Sequence, residues 1–442
     1  MLFPVQGNSD VKNGGQSFWQ KFFPDLHELL FGKANIEDPP AGPAISKASK
    51  VKKTGAAKKP ARLLVKKAVI ARSPIKTASD KKEKNDSPLQ LERALSNPIL
   101  KPHELNEWES QATFNPAAIY ADGKVHLIYR AVGRDNVSVL GYAMSHNGRH
   151  IHERLADPAY YSKTKNEIIE QNERLAYISG GGWNGGCEDP RTTLIDDVVY
   201  LLYTAFDGWG SVRIAMSTIA LDDFLNKRWN WEEPVLISPP GEINKNWVMF
   251  PEKVNGKFAI LHSVSPTVRI DYFDSMDELR DEDKFINSKY VKSARRKSWD
   301  SWVRGAGPPP IKTKYGWLLL YHAMDVKDPD RYKLGAMLLD LKDPTKILYR
   351  SNAPVLEPDE CYENEGFKAG VVYACGAVVL DGKLFVYYGG ADAVTCVATA
   401  DLAAFLKELM TTGAPKVRGV AKPKRKVYDH GKALKKKPAR LA

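Results

Sequence analysis

One local pattern recurs five times in this chain, and it constrains the fold more than any other feature. A short apolar run meets a turn of Asp, Asn or Gly, and a β-rich run follows that ends in Tyr or His. The five cases are Ala117–Tyr120, Asp122-Gly123 and Val125–Tyr129; Thr192–Ile195, Asp196-Asp197 and Val198–Tyr203; Pro251–Val254, Asn255-Gly256 and Phe258–His262; Pro308–Ile311, Lys314-Tyr315-Gly316 and Trp317–His322; and Gly376–Leu380, Asp381-Gly382 and Leu384–Tyr388. Each reads as a hairpin. The turns lie roughly 60 to 75 residues apart, the spacing of a repeat architecture. Most hairpins lead into a further strand, such as Arg213–Ser217 or Leu334–Leu338, and Pro-[Ile/Val]-Leu recurs at Pro98, Pro234 and Pro354. Helical periodicity is almost absent. Such a repeat predicts an all-β chain, a five-bladed β-propeller, since one blade cannot bury both faces and must stack on neighbours around an axis. Two β-sandwiches are the alternative, disfavoured by the even spacing.

Domain boundaries follow from composition. Residues 88–412 form the predicted propeller domain, with Asp401–Met410 as a closing helix capped by Asp401. Within 1–43, Ser17–Phe31 reads as a short amphipathic helix broken at Pro24. Residues 44–87 are a basic low-complexity linker, and 413–442 a basic tail; both compositions predict disorder. The formal net charge of +12 belongs to these segments. Lys47–Lys84 holds 14 basic and 2 acidic side chains and Lys416–Arg440 holds 11 and 1, so the remainder carries a net charge near −10. A nucleic-acid-binding body is therefore disfavoured. The tails are either solvated connectors or weak contacts for polyanions. No apolar run reaches the roughly 18 residues of a membrane span, and the start of the chain lacks a secretory signal. Cys187, Cys361, Cys375 and Cys396 show no metal or disulfide spacing, so reduced thiols, a cytoplasmic setting and no bound metal are expected.

The candidate chemistry centres on Gly185-Gly186-Cys187-Glu188-Asp189-Pro190-Arg191, where glycines, two carboxylates and a guanidinium precede a hairpin. Charge is costly where a strand enters a core, so the cluster marks a site, or else a local ion pair capping a strand. Polar residues at matching places in the repeats are Asn115 and Arg130; Glu188, Asp189, Arg191, Asp207 and Arg213; Lys245, Glu252, Lys253 and His262; Arg304, His322, Asp325 and Tyr332; and Glu363, Glu365, Tyr373 and Asp392. In a propeller they converge on one funnel. Trp183, Trp209, Trp247, Tyr332 and Tyr373 add faces for sugar C–H groups. Each has a duller reading: Arg213 and Arg304 as inter-blade ion pairs, His262 and His322 as core histidines, Tyr332 and Tyr373 as packing, Lys245 as solvated. P-loop, G-x-G-x-x-G, H-E-x-x-H and G-x-S-x-G motifs are absent, which removes support for nucleotide, zinc-protease and α/β-hydrolase readings.

Leu91–Leu409 resembles glycoside hydrolase family 130, the inverting β-mannoside phosphorylases and related β-mannosidases on five-bladed propellers. The resemblance rests on Asn97–Leu100, Thr113–Ala118, Tyr129–Ala131, Gly186–Arg191, Tyr203–Gly208, Phe250–Lys253, Tyr321-His322 and Tyr387–Asp392. Residues 150–180 look like an inserted loop. The resemblance implies that Asp189 is the general acid, acting through the 3-hydroxyl of the mannosyl unit. It implies that Asn115, Arg130, Arg191, Tyr332, Tyr373 and Asp392 hold the sugar, and that Arg213, Lys253, Arg304 and His322 bind phosphate. Inorganic phosphate would be co-substrate, with no cofactor. A phosphorylase needs a cationic site for its anionic nucleophile, whereas an inverting hydrolase needs a second carboxylate to activate water. Glu363 and Glu365 keep the β-mannosidase open, and a non-catalytic carbohydrate-binding propeller is the third reading. A homo-oligomer without membrane contact is expected.

Overall fold

The computed structural model describes residues 89–161, 185–206, 211–281, 284–288, 298–412 and 414–415. The expected helix in 1–43, the basic stretch 44–87 and the tail 413–442 (apart from residues 414–415) lie outside the described residues. So do most of the inserted loop and Trp183, Asp207 and Trp209.

The described chain is all-β. After a two-residue strand β1 (Glu92–Arg93) come antiparallel meanders: β2 (Ala112–Ala121), β3 (Lys124–Val132), β4 (Val137–Ser145), β5 (Glu153–Arg154); then β6 (Gly185–Ile195), β7 (Val198–Phe206), β8 (Val212–Ala220), β9 (Val235–Leu236); then β10 (Val248–Met249), β11 (Phe258–Ser263), β12 (Arg269–Phe273). The fourth is β13 (Trp302–Ala306), β14 (Ile311–Thr313), β15 (Gly316–Asp325), β16 (Asp328–Leu339), β17 (Ile347–Arg350), and the fifth β18 (Val372–Leu380), β19 (Lys383–Gly390), β20 (Val394–Asp401). A parallel pairing of β4 with β6 joins the first two into one sheet. The first strand of the chain, β1, pairs with β20 of the last meander. Helices are short: α1 (Leu221–Leu225), α2 (Cys361–Asn364) and α3 (Leu402–Thr412). Asp401 Oδ1 accepts the Ala404 N–H at 2.7 Å at the start of α3. Among the described residues no helix is long and apolar enough to cross a membrane.

The repeated turn letters have a direct conformational cause. Each is a two-residue loop, closed by the pairs Ala121↔Lys124, Ile195↔Val198, Val254↔Lys257, Thr313↔Gly316 and Leu380↔Lys383. In four of the five both loop residues have positive φ, as at Asp122 (47°) and Gly123 (68°) or Asn255 (52°) and Gly256 (85°). That geometry matches strand twist and admits Asp, Asn and Gly most readily.

Middle strands such as β3 and β7 are buried along nearly their whole length. This explains why they read as continuous apolar runs rather than alternating ones. The covering surfaces are the neighbouring meanders. One apolar cluster joins the first and second through Ile128 and Leu201, another the second and third through Leu202 and Ile260, and another the third and fourth through Leu261 and Leu319. The fourth and fifth meet through Leu320 and Val386, and the fifth returns to the first through Tyr387 and Leu127. Truncating one of these fully buried leucines to Ala costs about 2–5 kcal/mol.

One irregularity positions the site. The first strand of four meanders breaks register once: between Phe114 and Ala117, Glu188 and Arg191, Val303 and Gly305, and Ala374 and Gly376. The residues at these bulges are Asn115-Pro116, Asp189-Pro190, Arg304 and Cys375. In the third meander Asn246, two residues before β10, takes φ 65°. A bulge bends the strand and re-aims a side chain. The proline has no N–H to offer the ladder, and Asn115 (φ 48°) and Asp189 (φ 49°) are residue types that tolerate left-handed backbone.

Candidate active site

Asp189 stands where these bulges meet. Its Oδ1 accepts from Asn115 Nδ2 at 2.8 Å and from Arg130 at 3.2 Å. The Arg130 guanidinium also donates to Glu188 Oε1 at 2.9 Å and to Ser138 Oγ at 2.9 Å, and lies 4.9 Å from the Phe114 ring. Glu188 is fully buried, and its other oxygen pairs with Lys245 Nζ at 3.1 Å. Two glycines permit this crowding: a Cβ on Gly186 would lie 2.2 Å from the Ser138 carbonyl oxygen, and one on Gly389 would lie 2.0 Å from Asn115 Oδ1.

Arg191 holds the other flank. It donates to Asn246 Oδ1 at 2.9 Å, to the Asp189 carbonyl at 3.1 Å and to the Gly307 carbonyl at 3.3 Å. The Tyr373 hydroxyl donates to the same Asn246 oxygen. Tyr373 stacks on His322, with centroids 3.9 Å apart and planes 14° from parallel, and lies 6.0 Å from the Tyr332 ring. Arg304 and Lys368 flank Tyr332, at 5.9 and 4.4 Å from its ring. Together they hold the tyrosine's pKa below its usual value against burial, which acts upward. Asp392 is buried in the turn after β19, at φ 53°.

The two site carboxyls are driven apart. Burial pushes both pKa values up. At Asp189 the charges of Arg130, Arg191 and Lys245 and the Asn115 hydrogen bond override it and hold the pKa at about 2. At Asp392 burial prevails over Lys368, the charge of Asp189 adds to it, and the pKa rises to about 6. Burial and the nearby Arg191 bring His322 down to about 3. Its Nε2 accepts the Ala374 N–H at 3.0 Å, so the neutral ring carries its proton on Nδ1.

Beside this cluster is a cleft lined by Asn244, Lys245, Asn246, His262, Ser288 and Arg304 among others. Asn244 Nδ2 and His262 Nδ1 are buried there without a hydrogen-bond partner among the described residues. No carboxylate is among the described lining residues.

Several expectations need correction. Lys253 is not near Asp189. It pairs with Asp196 at 3.2 Å on the turn at the far end of β6, seven residues and roughly 20 Å along the strand. Its place next to the hairpin turn puts it on the outer end of the meander. Arg213 is half-buried and its fork is spent on the Ser238 and Leu236 carbonyls, so it is not presented to the cluster. His322 does lie with Arg191 and Arg304, but as a neutral donor rather than a cation. Glu363 is buried and clamped by Arg93 at 2.8 Å and by Tyr388 at 2.8 Å, which removes it as a base, and Glu365 is exposed. Lys245, read as solvated, is instead bonded to Glu188 and lines the cleft. Its signal in the sequence was its place three residues before the third meander's first strand.

A carboxylic acid fixed among arginines and tyrosine faces, next to a cation-lined cleft, is equipment for handling a sugar together with an anion. The chain belongs to glycoside hydrolase family 130: the family's model, described as beta-1,4-mannooligosaccharide phosphorylase, matches residues 90–411. It is 38% identical over 324 residues to a 1,2-beta-oligomannan phosphorylase of Thermoanaerobacter sp. (strain X514), covering 71% of this chain and 98% of that protein. It is 37% identical over 318 residues to a beta-1,2-mannobiose phosphorylase of the same organism, covering 69% of this chain and 94% of the relative. The solved structure of Listeria innocua beta-1,2-mannobiose phosphorylase with beta-1,2-mannobiose is similar at a TM-score of 0.55 and 26% identity, over 72% of this chain and 99% of that one.

Proposed function

We propose that this protein is an inverting phosphorylase that cleaves β-1,2-linked mannosides with inorganic phosphate, giving α-mannose 1-phosphate and a shortened acceptor. The observation that carries the reading is the cleft beside Asp189, which is lined by Lys245 and Arg304 and, among the described residues, by no carboxylate. An inverting hydrolase requires a base on that side to activate water; a phosphorylase requires positive charge and donors for an anion that is already a nucleophile. The β-1,2 linkage is favoured by the two relatives at 37–38% identity, both named for it.

In this reading Asn115, Arg130, Arg191, Tyr332, Tyr373 and Asp392 hold the mannosyl unit. Phosphate sits on Lys245 and Arg304, with the buried donors of Asn244, His262 and His322 close by. A phosphate oxygen bonds to C1 on the face opposite the leaving oxygen, and the C1–O bond to the acceptor breaks. Asp189 gives its proton to the sugar 3-hydroxyl, whose own proton passes to the leaving oxygen. An Asp189 held at a pKa of about 2 is a poor donor. Phosphate docked on Lys245 neutralises one of the three cations that depress it and adds negative charge nearby, so the acid becomes a better donor when the nucleophile is in place.

The five inter-meander clusters and the pairing of β1 with β20 support a five-bladed propeller spanning 88–412. None of the four cysteines forms a disulfide, which suits a reducing cytoplasm.

Incubating the protein with β-1,2- and β-1,4-mannobiose, each with and without phosphate, tests this. Mannose 1-phosphate is expected from the β-1,2 substrate only when phosphate is present. Release of free mannose without phosphate would establish the hydrolase instead. Two variants locate the anion: Lys245→Ala is expected to raise the KM for phosphate at least about tenfold, the scale of one lost charge-assisted contact. Lys253→Ala is expected to leave it within about twofold, since its partner is the surface carboxylate of Asp196.

A further inference from the structure

Glu188 has no part in the mechanism above, yet it is the most completely buried carboxylate of the site, with no exposed surface. Both of its oxygens are committed, to different elements. Oε1 takes Arg130 of β3 at 2.9 Å, and Oε2 takes Lys245, from the segment before β10, at 3.1 Å. The first partner also bonds Asp189; the second lines the anion cleft. A planar guanidinium bonded along one edge to Glu188 and Ser138 has its remaining nitrogen fixed toward Asp189. A lysine, by contrast, has a flexible stem, and Glu188 sets where its ammonium stands.

We propose that Glu188 is a positioning residue that holds the sugar-binding Arg130 and the phosphate-binding Lys245 at a fixed spacing about Asp189 and keeps their charge from over-ionising the acid. The inference rests on the phosphorylase reading. Removing its charge leaves Arg130, Lys245 and Arg191 facing Asp189, with Asp392 as the opposing carboxylate among the described residues. Tyr373 and Cys375 of β18 are neutral near pH 7, burial pushing the Cys375 thiol up to about 12, and His322 of β15 is neutral too. Lys368 and Arg130 are the cations facing Asp392. Both site carboxyls therefore lose a negative neighbour, and both titrate lower.

The test is Glu188→Gln in the full chain, which preserves volume. The expected result has three parts with one sign. The alkaline limb of the pH–rate profile, which the general acid sets, moves down by about one pH unit, as for one charge removed at short range. Inorganic phosphate, titrated calorimetrically, binds at least about threefold tighter because Lys245 is no longer neutralised. The kcat at pH 7 falls at least about tenfold, because Asp189 is a weaker donor and Arg130 is unmoored. Glu188→Asp keeps the charge but is too short to span both cations: the wild-type limb is expected to return with kcat still reduced. An unmoved alkaline limb and unchanged phosphate affinity in Glu188→Gln would overturn the proposal, as would proportional weakening of both substrates with a lower Tm. If Glu188→Gln does not fold, wild-type kcat in Glu188→Asp overturns it. A wild type that releases no mannose 1-phosphate defeats the parent reading alone; the phosphate titration still decides the part played by Glu188.

Discussion

Asp189→Asn is expected to lower kcat for phosphorolysis at least about a thousandfold, the range of a lost general acid. The amide cannot supply a proton, while the surrounding Asn115 and Arg130 still have an oxygen to bond. Folding should survive at reduced stability. In the native protein the Asp189 pKa lies at about 2 against a reference near 3.8, lowered by its cations against burial. A depressed carboxyl contributes stability above the unfolded pKa and loses it as pH falls through the folded one. The contribution at neutral pH is about 2 kcal/mol, so the variant's Tm should drop by several degrees at pH 7 and hardly at all at pH 2. A donor with a nitrophenolate leaving group needs no protonation at that oxygen and should recover much of the lost rate. Near-normal kcat on the natural mannoside, or no recovery with the activated one, would remove Asp189 from the role of acid.

Asp392→Asn should do the opposite to stability. Here burial raises the carboxyl pKa from 3.8 to about 6. Stability associated with the protonated form is present below the unfolded pKa and is lost as pH rises through 6, about 3 kcal/mol by neutral pH. An amide carries no such cost. The variant is therefore expected to melt about 5 °C higher at pH 7.5 and near the wild type at pH 3, while its KM for mannoside rises and its turnover falls. Calorimetry at the two pH values checks it; a lower Tm at pH 7.5 would show that the ionised carboxylate is a net stabiliser here. A site that destabilises its own fold at working pH is a recognised cost of function.

The correction at Lys253 has a positional cause. Lys253 lies only two residues before a hairpin turn, and a turn is the end of a meander remote from the bulges. Lys245 lies before β10, level with Asn115 and Asp189 at the matching ends of β2 and β6. In a strand, direction along the chain decides which end of the sheet a residue reaches, and eight residues span the strand's length. Residue type cannot discriminate between two lysines of one segment. Position relative to the strand ends can.

Local chemistry in the sequence determined the turns, because Asp, Asn and Gly are the residues that accept left-handed backbone in a two-residue loop. It determined the all-β class through continuous apolar runs flanked by those turns, and it marked Asp189, since few structures keep two carboxylates and an arginine at the mouth of a buried strand. What only the tertiary structure decided is which charges meet. The bulges at Asn115, Asp189, Arg304 and Cys375 turn side chains from separate meanders toward one place. There the same two acids, Asp189 and Asp392, acquire pKa values near 2 and 6. Coulomb energy depends on distance and desolvation, and both belong to the packed arrangement rather than to the order of residues along the chain.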